Sequence, residues 1–171
     1  MAVLPSGKSQ PAMIRRDLFR KERLMDVASY LSGYADGEGC FCVSINSSAR
    51  HRFGWEIRPS FSVSQNRDRA EVLEMMKAYF ACGTIRPDRS DRTLKYEVRK
   101  VADLVEKVIP HFEVAPLLSG KRRDFEIFAE ICRKVYSREH LIEGGFSEIV
   151  DMAAKMNPSG RRKYSSEEIK R

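Results

Sequence analysis

The chain is poor in the residues that build metal-held or cross-linked scaffolds. Its four cysteines, Cys40, Cys42, Cys82 and Cys132, form no CxxC pair, and its three histidines, His51, His111 and His140, are scattered. That spacing argues against a zinc site and against a disulfide framework. It reads as reduced thiols in a cytoplasmic or organelle-matrix protein that is not secreted. No apolar run approaches the length of a membrane span, so no membrane partner is expected, and the first residues lack the apolar centre of a secretory signal. The sequence contains no internal repeat.

What is present suits one domain with a real core: 171 residues, 42% of them hydrophobic. Lys and Arg number 31 against 24 Asp and Glu, a formal charge of +7. A basic balance of that size points to a polyanionic partner, most often nucleic acid, although many basic proteins bind none. Residues 1–25 form a basic N-terminal extension. Its first twelve positions read as disordered, and Arg15, Arg16, Arg20, Lys21 and Arg23 follow as either a phosphate-binding arm or a solvated segment.

Residues 26–137 form the expected core. Asp26 is a good N-cap for a helix whose apolar positions are Val27, Tyr30, Leu31 and Tyr34. From Cys40 the period changes to two. Phe41, Val43 and Ile45 alternate with Cys42, Ser44 and Asn46, and after a polar turn Trp55, Ile57, Phe61 and Val63 alternate with Glu56, Arg58, Ser60, Ser62 and Ser64. This predicts a long antiparallel hairpin with one apolar and one polar, partly basic face. Asp68 then caps a helix to about Phe80, a second hairpin has its charged tip at residues 88–92, and a helix from Val101 to Ile109 ends at Pro110. A long helix follows Lys121-Arg122-Arg123. Residues 138–171 are read as a C-terminal helix over 145–156 and a loosely held basic tail. Strand pairs set between helices predict an α+β fold, αββαββα, with a curved antiparallel sheet, helices on one face and extra C-terminal helices.

One stretch carries most of the chemistry: Tyr30-Leu31-Ser32-Gly33-Tyr34-Ala35-Asp36-Gly37-Glu38-Gly39. It reads as a helix ending in an acidic, glycine-rich corner. Ser29, Gly33 and Gly37 recur four apart, a spacing that lets a second backbone approach one face closely. Asp36 and Glu38 sit where the helix dipole disfavours negative charge, which suggests a nearby cation. Acids beside glycines often only shape turns. Here, however, they accompany a wet sheet face carrying Ser44, Asn46, Arg58, Ser60, Ser62, Ser64, Arg86, Lys95, Glu97 and Arg99, with Arg50 at the hairpin tip. Such a face is either simply solvated or suited to the DNA major groove, where cations take phosphates and short polar side chains read base edges. Lys121, Arg122 and Arg123 make a locally positive helix start, a good place for a phosphate. Carboxylates for hard divalent ions, set beside cations, are what phosphodiester hydrolysis needs.

These residues resemble the LAGLIDADG homing endonucleases of the single-motif type. Leu31-Ser32-Gly33-Tyr34-Ala35-Asp36-Gly37-Glu38-Gly39 is similar to the family signature, and Phe61-Ser62-Val63-Ser64-Gln65 and Gly120-Lys121-Arg122-Arg123-Asp124-Phe125 are similar to later blocks. The resemblance implies a homodimer whose motif helices pack across a two-fold axis, with Ser29, Gly33 and Gly37 in the interface. It implies a Mg²⁺-dependent endonuclease, other divalent ions such as Mn²⁺ also serving. The enzyme would make a staggered double-strand break in double-stranded DNA at a long pseudo-palindromic site and so promote intron homing. Glu38 then matches the metal-binding acid, the Gly37 carbonyl a further ligand, Asp36 the structural motif acid and Gln65 a residue that positions solvent. Lys121 matches the transition-state cation, a place that Arg122 or Arg123 can also fill by a small shift. Glu38 stands where the family most often has Asp, and Ser32 and Tyr34 replace smaller or aliphatic residues. The rival reading is a non-cutting member of the same fold that acts as an intron-RNA maturase or DNA-binding regulator.

Overall fold

A computed structural model describes residues 26–88, 92–157 and 162–171. The basic extension 1–25 and the centre of the second hairpin tip lie outside the described residues. Helix α1 (Val27–Glu38) starts at Asp26, whose carboxylate accepts the Ala28 N–H at 3.1 Å. It runs without a loop into β1 (Gly39–Ser47). That abrupt exit requires Gly39, because a Cβ there would stand 2.5 Å from the Ala35 carbonyl oxygen.

Strand β1 pairs antiparallel with β2 (Trp55–Asn66), which pairs with β4 (Thr93–Val98), and β3 (Thr84–Pro87) closes the far edge in the order β1-β2-β4-β3. The register sets Phe41 against Phe61, Val43 against Pro59 and Ile45 against Ile57, so the alternation read from the sequence becomes one apolar face. Pro59 is tolerated in a long strand because β2 pairs with β4 only from Phe61 onward, leaving that side of Pro59 with no ladder bond to make. Helices α2 (Glu71–Phe80), α3 (101–114), α4 (Lys121–Tyr136) and α5 (Glu143–Lys155) join α1 in building the core on that face. Phe41 is its hub, with ring centroids of Phe61, Phe112, Phe125 and Phe128 all within 5.1–5.3 Å.

Several elements differ from the sequence reading. Asp68 is no helix cap: it lies in a 3-10 turn, Arg67–Arg69, and α2 starts at Glu71. Sheet pairing persists to Asn66 and the Arg67 N–H still bonds the Arg92 carbonyl at 3.3 Å, which delays the turn into the helix. Pro110 does not end α3. A π-helical turn, Leu104–Val108, places the Ile109 N–H on the Leu104 carbonyl, and Pro110 then falls in the first turn of the next α segment, where its missing N–H costs nothing. Tyr30 is exposed instead of apolar core, and buried Ser32 takes a place in it. The Ser32 hydroxyl donates to the Ala115 carbonyl at 2.6 Å, so His111 Nε2, 3.0 Å away, donates to Ser32, and His111 Nδ1 accepts from the Tyr79 hydroxyl at 3.1 Å. His111, unassigned in the sequence, thus ties α1 to α2 and α3. Its burial lowers its pKa, in keeping with a neutral ring.

Helix α5 begins at Glu143, two residues before the expected start. The tail is also docked and not loose. Helix α6 (Ser166–Ile169) carries a capping box between Ser165 and Glu168, and Ile169 is buried with Phe146 and Val150. Trp55 meets Tyr164 edge-on at 4.8 Å.

Candidate nuclease site

The end of α1 and the start of α4 meet in one corner. The Asp36 carboxylate accepts from the Leu118 N–H at 3.1 Å, the Ser119 N–H at 2.9 Å and the Ser119 hydroxyl at 2.5 Å. Partial desolvation pushes the Asp36 carboxyl up, but these bonds and the charge of Lys121 outweigh it and hold its pKa below the ordinary value. Asp36 therefore locks the segment before α4 onto α1. Ser119 Oγ in turn accepts the Lys121 N–H at 3.1 Å. The sequence reading passed over Ser119, although a serine two residues before a helix start is a recognisable signal for a partner of that helix's free N–H groups.

Lys121 leaves the first turn of α4 and sends its ammonium to the opposite dipole. Its Nζ donates to the carbonyls of Ala35 at 3.0 Å and Gly37 at 3.2 Å, at the negative end of α1. Of Lys121, Arg122 and Arg123, it is Lys121 that reaches the acidic corner. Arg122 pairs instead with Glu126 along its own helix at 3.0 Å, and Arg123 has no ion pair among the described residues. The Glu38 side chain is exposed and makes no hydrogen bond or ion pair among the described residues. Gln65 donates its amide to the Tyr34 hydroxyl, one helical turn before Glu38, and its Oε1 accepts the Asn66 N–H at 2.7 Å. Tyr34 was not singled out in the sequence as a site residue; its position four before Glu38 was the available signal.

Hard oxygen donors beside a lysine are a chemistry that a divalent ion fits, since the carboxylate of Glu38 and the carbonyl of Gly37 are oxygen ligands of that type. A single chain supplies few of them. Among the described residues no group of three His, Cys, Asp or Glu converges as a metal cage. Ser29, Gly33 and Gly37 are all exposed along α1, and a Cβ added at Gly33 or Gly37 meets nothing within 4 Å of its own chain.

The polar sheet face gathers the remaining candidates. Pairing sets Ser44 opposite Arg58, Cys42 opposite Ser60, Asn46 opposite Glu56, Ser62 opposite Glu97, and Ser64 and Arg86 opposite Lys95. Ser62 is buried at the centre, flanked by Cys40 and Glu97. The face is less basic than its sequence suggested, because its cations are paired. Arg58 bonds Glu56 at 2.7 Å, Lys95 bonds Asp88 at 3.3 Å, and Arg86 and Arg99 both bond Glu97. Arg50, Arg67, Arg69 and Lys100 are exposed and lack an ion pair among the described residues, and the first three stand beyond the two ends of β2.

A model of the LAGLIDADG endonuclease family matches residues 31–132, which span the corner and the sheet together. The chain belongs to that family. Homing endonuclease I-ApeII of Aeropyrum pernix is 32% identical over 151 residues, covering 82% of this chain and 86% of that protein. Probable intron-encoded endonuclease 2 of Neurospora crassa is 30% identical over 130 residues, and there the match covers 75% of this chain but only 29% of the relative. The chain thus spans less than a third of the length of that fungal protein. The LAGLIDADG homing endonuclease I-LtrWI, solved bound to its target DNA, superposes with a TM-score of 0.73 at 32% identity, over 77% of this chain and 44% of that one. In this LAGLIDADG chain no helix among the described residues is long and apolar enough to cross a membrane.

Proposed function

We propose that the chain is a sequence-specific DNA endonuclease. It works as a homodimer in which two α1 helices pack through Ser29, Gly33 and Gly37, so that each acidic corner faces one strand of a pseudo-palindromic site. The observation that carries the reading is the exposed Glu38 carboxylate, which has no partner among the described residues and follows the Gly37 carbonyl that Lys121 meets. An acid that served only to hold the fold would be satisfied by groups of its own protein, as Asp36 is by Leu118 and Ser119.

Glu38 and the Gly37 carbonyl would hold Mg²⁺, with Mn²⁺ an alternative. The ion would activate water and neutralise charge at the scissile phosphate. Gln65, fixed by Tyr34, would orient solvent, and Lys121 would meet the charge that builds on the phosphoryl oxygens. A strand of twelve residues such as β2 is about 40 Å long, somewhat more than one turn of DNA. Its end cations, Arg50, Arg67 and Arg69, would therefore take phosphates while the middle of the sheet reads bases. Cleavage of both strands at offset positions would give the staggered break that intron homing requires.

The test is incubation of the full chain with a duplex carrying the joined exon sequence that the intron interrupts, in Mg²⁺ or in EDTA. Cleavage in Mg²⁺ alone, binding in both, and loss of cutting without loss of binding in Glu38→Gln are expected. Binding in both conditions with cutting in neither would favour the maturase or regulator reading.

A further inference from the structure

Glu97 stands near the middle of the polar sheet face, on β4, opposite Ser62 of β2 and Thr84 of β3. Its side chain is only 10% exposed, and both carboxylate oxygens accept from arginines. Oε2 accepts from Arg86 Nε at 3.3 Å and Nη2 at 3.1 Å. Arg99 places its Nε 3.0 Å from the same oxygen and its Nη2 3.1 Å from Oε1. A carboxylate so enclosed is poorly placed to take a donor from a base. It can hold two cations in place.

The manner of holding matters. A guanidinium has two forks, one formed by Nε and Nη2 along its side, the other by Nη1 and Nη2 at its end. Both arginines give the side fork to Glu97, which leaves the end fork of each without a further partner among the described residues, on side chains 43% and 63% exposed. The end fork is the donor pair that matches the O6 and N7 acceptors of guanine in the major groove. Unheld, each long side chain would lose rotamer freedom on binding; held, that cost is met in the free protein. Glu97 also removes charge from a face whose four cations, Arg58, Arg86, Lys95 and Arg99, are offset by Glu56, Asp88 and Glu97. The sheet centre is therefore suited to reading bases more than to attracting phosphates.

We propose that Glu97 is a positioning residue for specificity, presenting Arg86 and Arg99 to two guanines in each half-site. The proposal rests on the sheet being the DNA surface, and its test separates the two. Full-length wild type, Arg86→Ala, Arg99→Ala, Glu97→Ala and Glu97→Gln are each used to select bound duplexes from a randomised library in EDTA, and the selected pools are sequenced.

Wild type should select two guanines per half-site, each preferred roughly ten- to hundredfold. Arg86→Ala should lose one preference and Arg99→Ala the other. Glu97→Ala should weaken both while its affinity for unselected DNA holds or rises, since two cations are freed for phosphates. Glu97→Gln should fall between, because its amide keeps one acceptor. These position-by-position losses are not what a merely structural residue would produce. Retention of both guanine preferences in Glu97→Ala overturns the positioning role, as does a lost preference for cytosine, which would mark Glu97 as a direct reader. A wild type that selects a site without guanine at these positions overturns the proposal and leaves the nuclease reading standing. Selection of no sequence at all overturns both.

Discussion

The ammonium of Lys121 lies 3.0 Å from the carbonyl oxygen of Ala35 and 3.2 Å from that of Gly37, so one cation from α4 closes the C-terminus of α1. It answers the acids that the helix dipole would otherwise disfavour, and it leaves Glu38 free of any protein partner among the described residues. Lys121→Met keeps the length and removes the charge. We expect cleavage to fall at least about a hundredfold, with a loss of about 1 kcal/mol in stability from the two carbonyl bonds. Single-turnover rates and thermal melts of the same samples check this. A rate within threefold of wild type, with the stability loss intact, would leave Lys121 as a helix cap only.

Asp36 is held below its ordinary pKa in the folded chain, so it binds protons less readily there than when unfolded. The sign follows: its contribution to stability is complete above the ordinary carboxylate value of about 3.9 and is lost as pH falls through the depressed value. Asp36→Asn should cost about 1–3 kcal/mol near neutral pH, because one acceptor oxygen becomes a donor facing N–H groups. It should also flatten the acid limb of a plot of stability against pH. Urea unfolding from pH 3 to 7 measures both, and an unchanged acid limb would show that Asp36 is not the group titrating there.

Much of this corner was legible in the sequence because its signals are local. Alternation at Phe41–Ile45 gives the faces of β1, Asp26 gives the start of α1, and acids among glycines mark its end. What was missed depends on residues far apart in the chain. Nothing near Asp68 shows that Arg92 still holds the neighbouring Arg67 in the sheet. Nothing near Pro110 shows that a π turn can absorb it, nor near His111 that Ser32 and Tyr79 await its two nitrogens. The sheet face was read correctly for parity but too simply for charge, because the sharing of Glu97 by Arg86 and Arg99 is settled by side-chain geometry, not by composition.

The docked C-terminal segment gives a prediction with a built-in probe, since Trp55 is the only tryptophan and touches Tyr164. Ile169→Ala removes a buried side chain from the cluster with Phe146 and Val150 and should cost about 2 kcal/mol. Ile169→Asp, which puts a charge among those residues, should undock the segment and shift Trp55 emission to the red. The exposed neighbour Glu167→Ala should change neither property. Unaltered emission in Ile169→Asp would mean that α6 is not what covers the end of the hairpin.

The two kinds of glycine around α1 allow the homodimer to be tested against the fold itself. Gly39 is required by its own chain, since a Cβ there meets the Ala35 carbonyl, whereas Gly33 has open space where a Cβ would go. In an isolated protomer Gly33→Ala should therefore stabilise the helix by up to about 1 kcal/mol, as alanine usually does in place of glycine. Gly33→Leu should likewise be accommodated. If Gly33 lies in a seam with a second α1, the same Leu pushes the two backbones apart. The expected result is a protein that melts no lower than wild type as a monomer, yet shows half the wild-type mass in light scattering and no cleavage of a pseudo-palindromic site. A dimer mass unchanged in Gly33→Leu would place the two-fold contact on another face of the molecule.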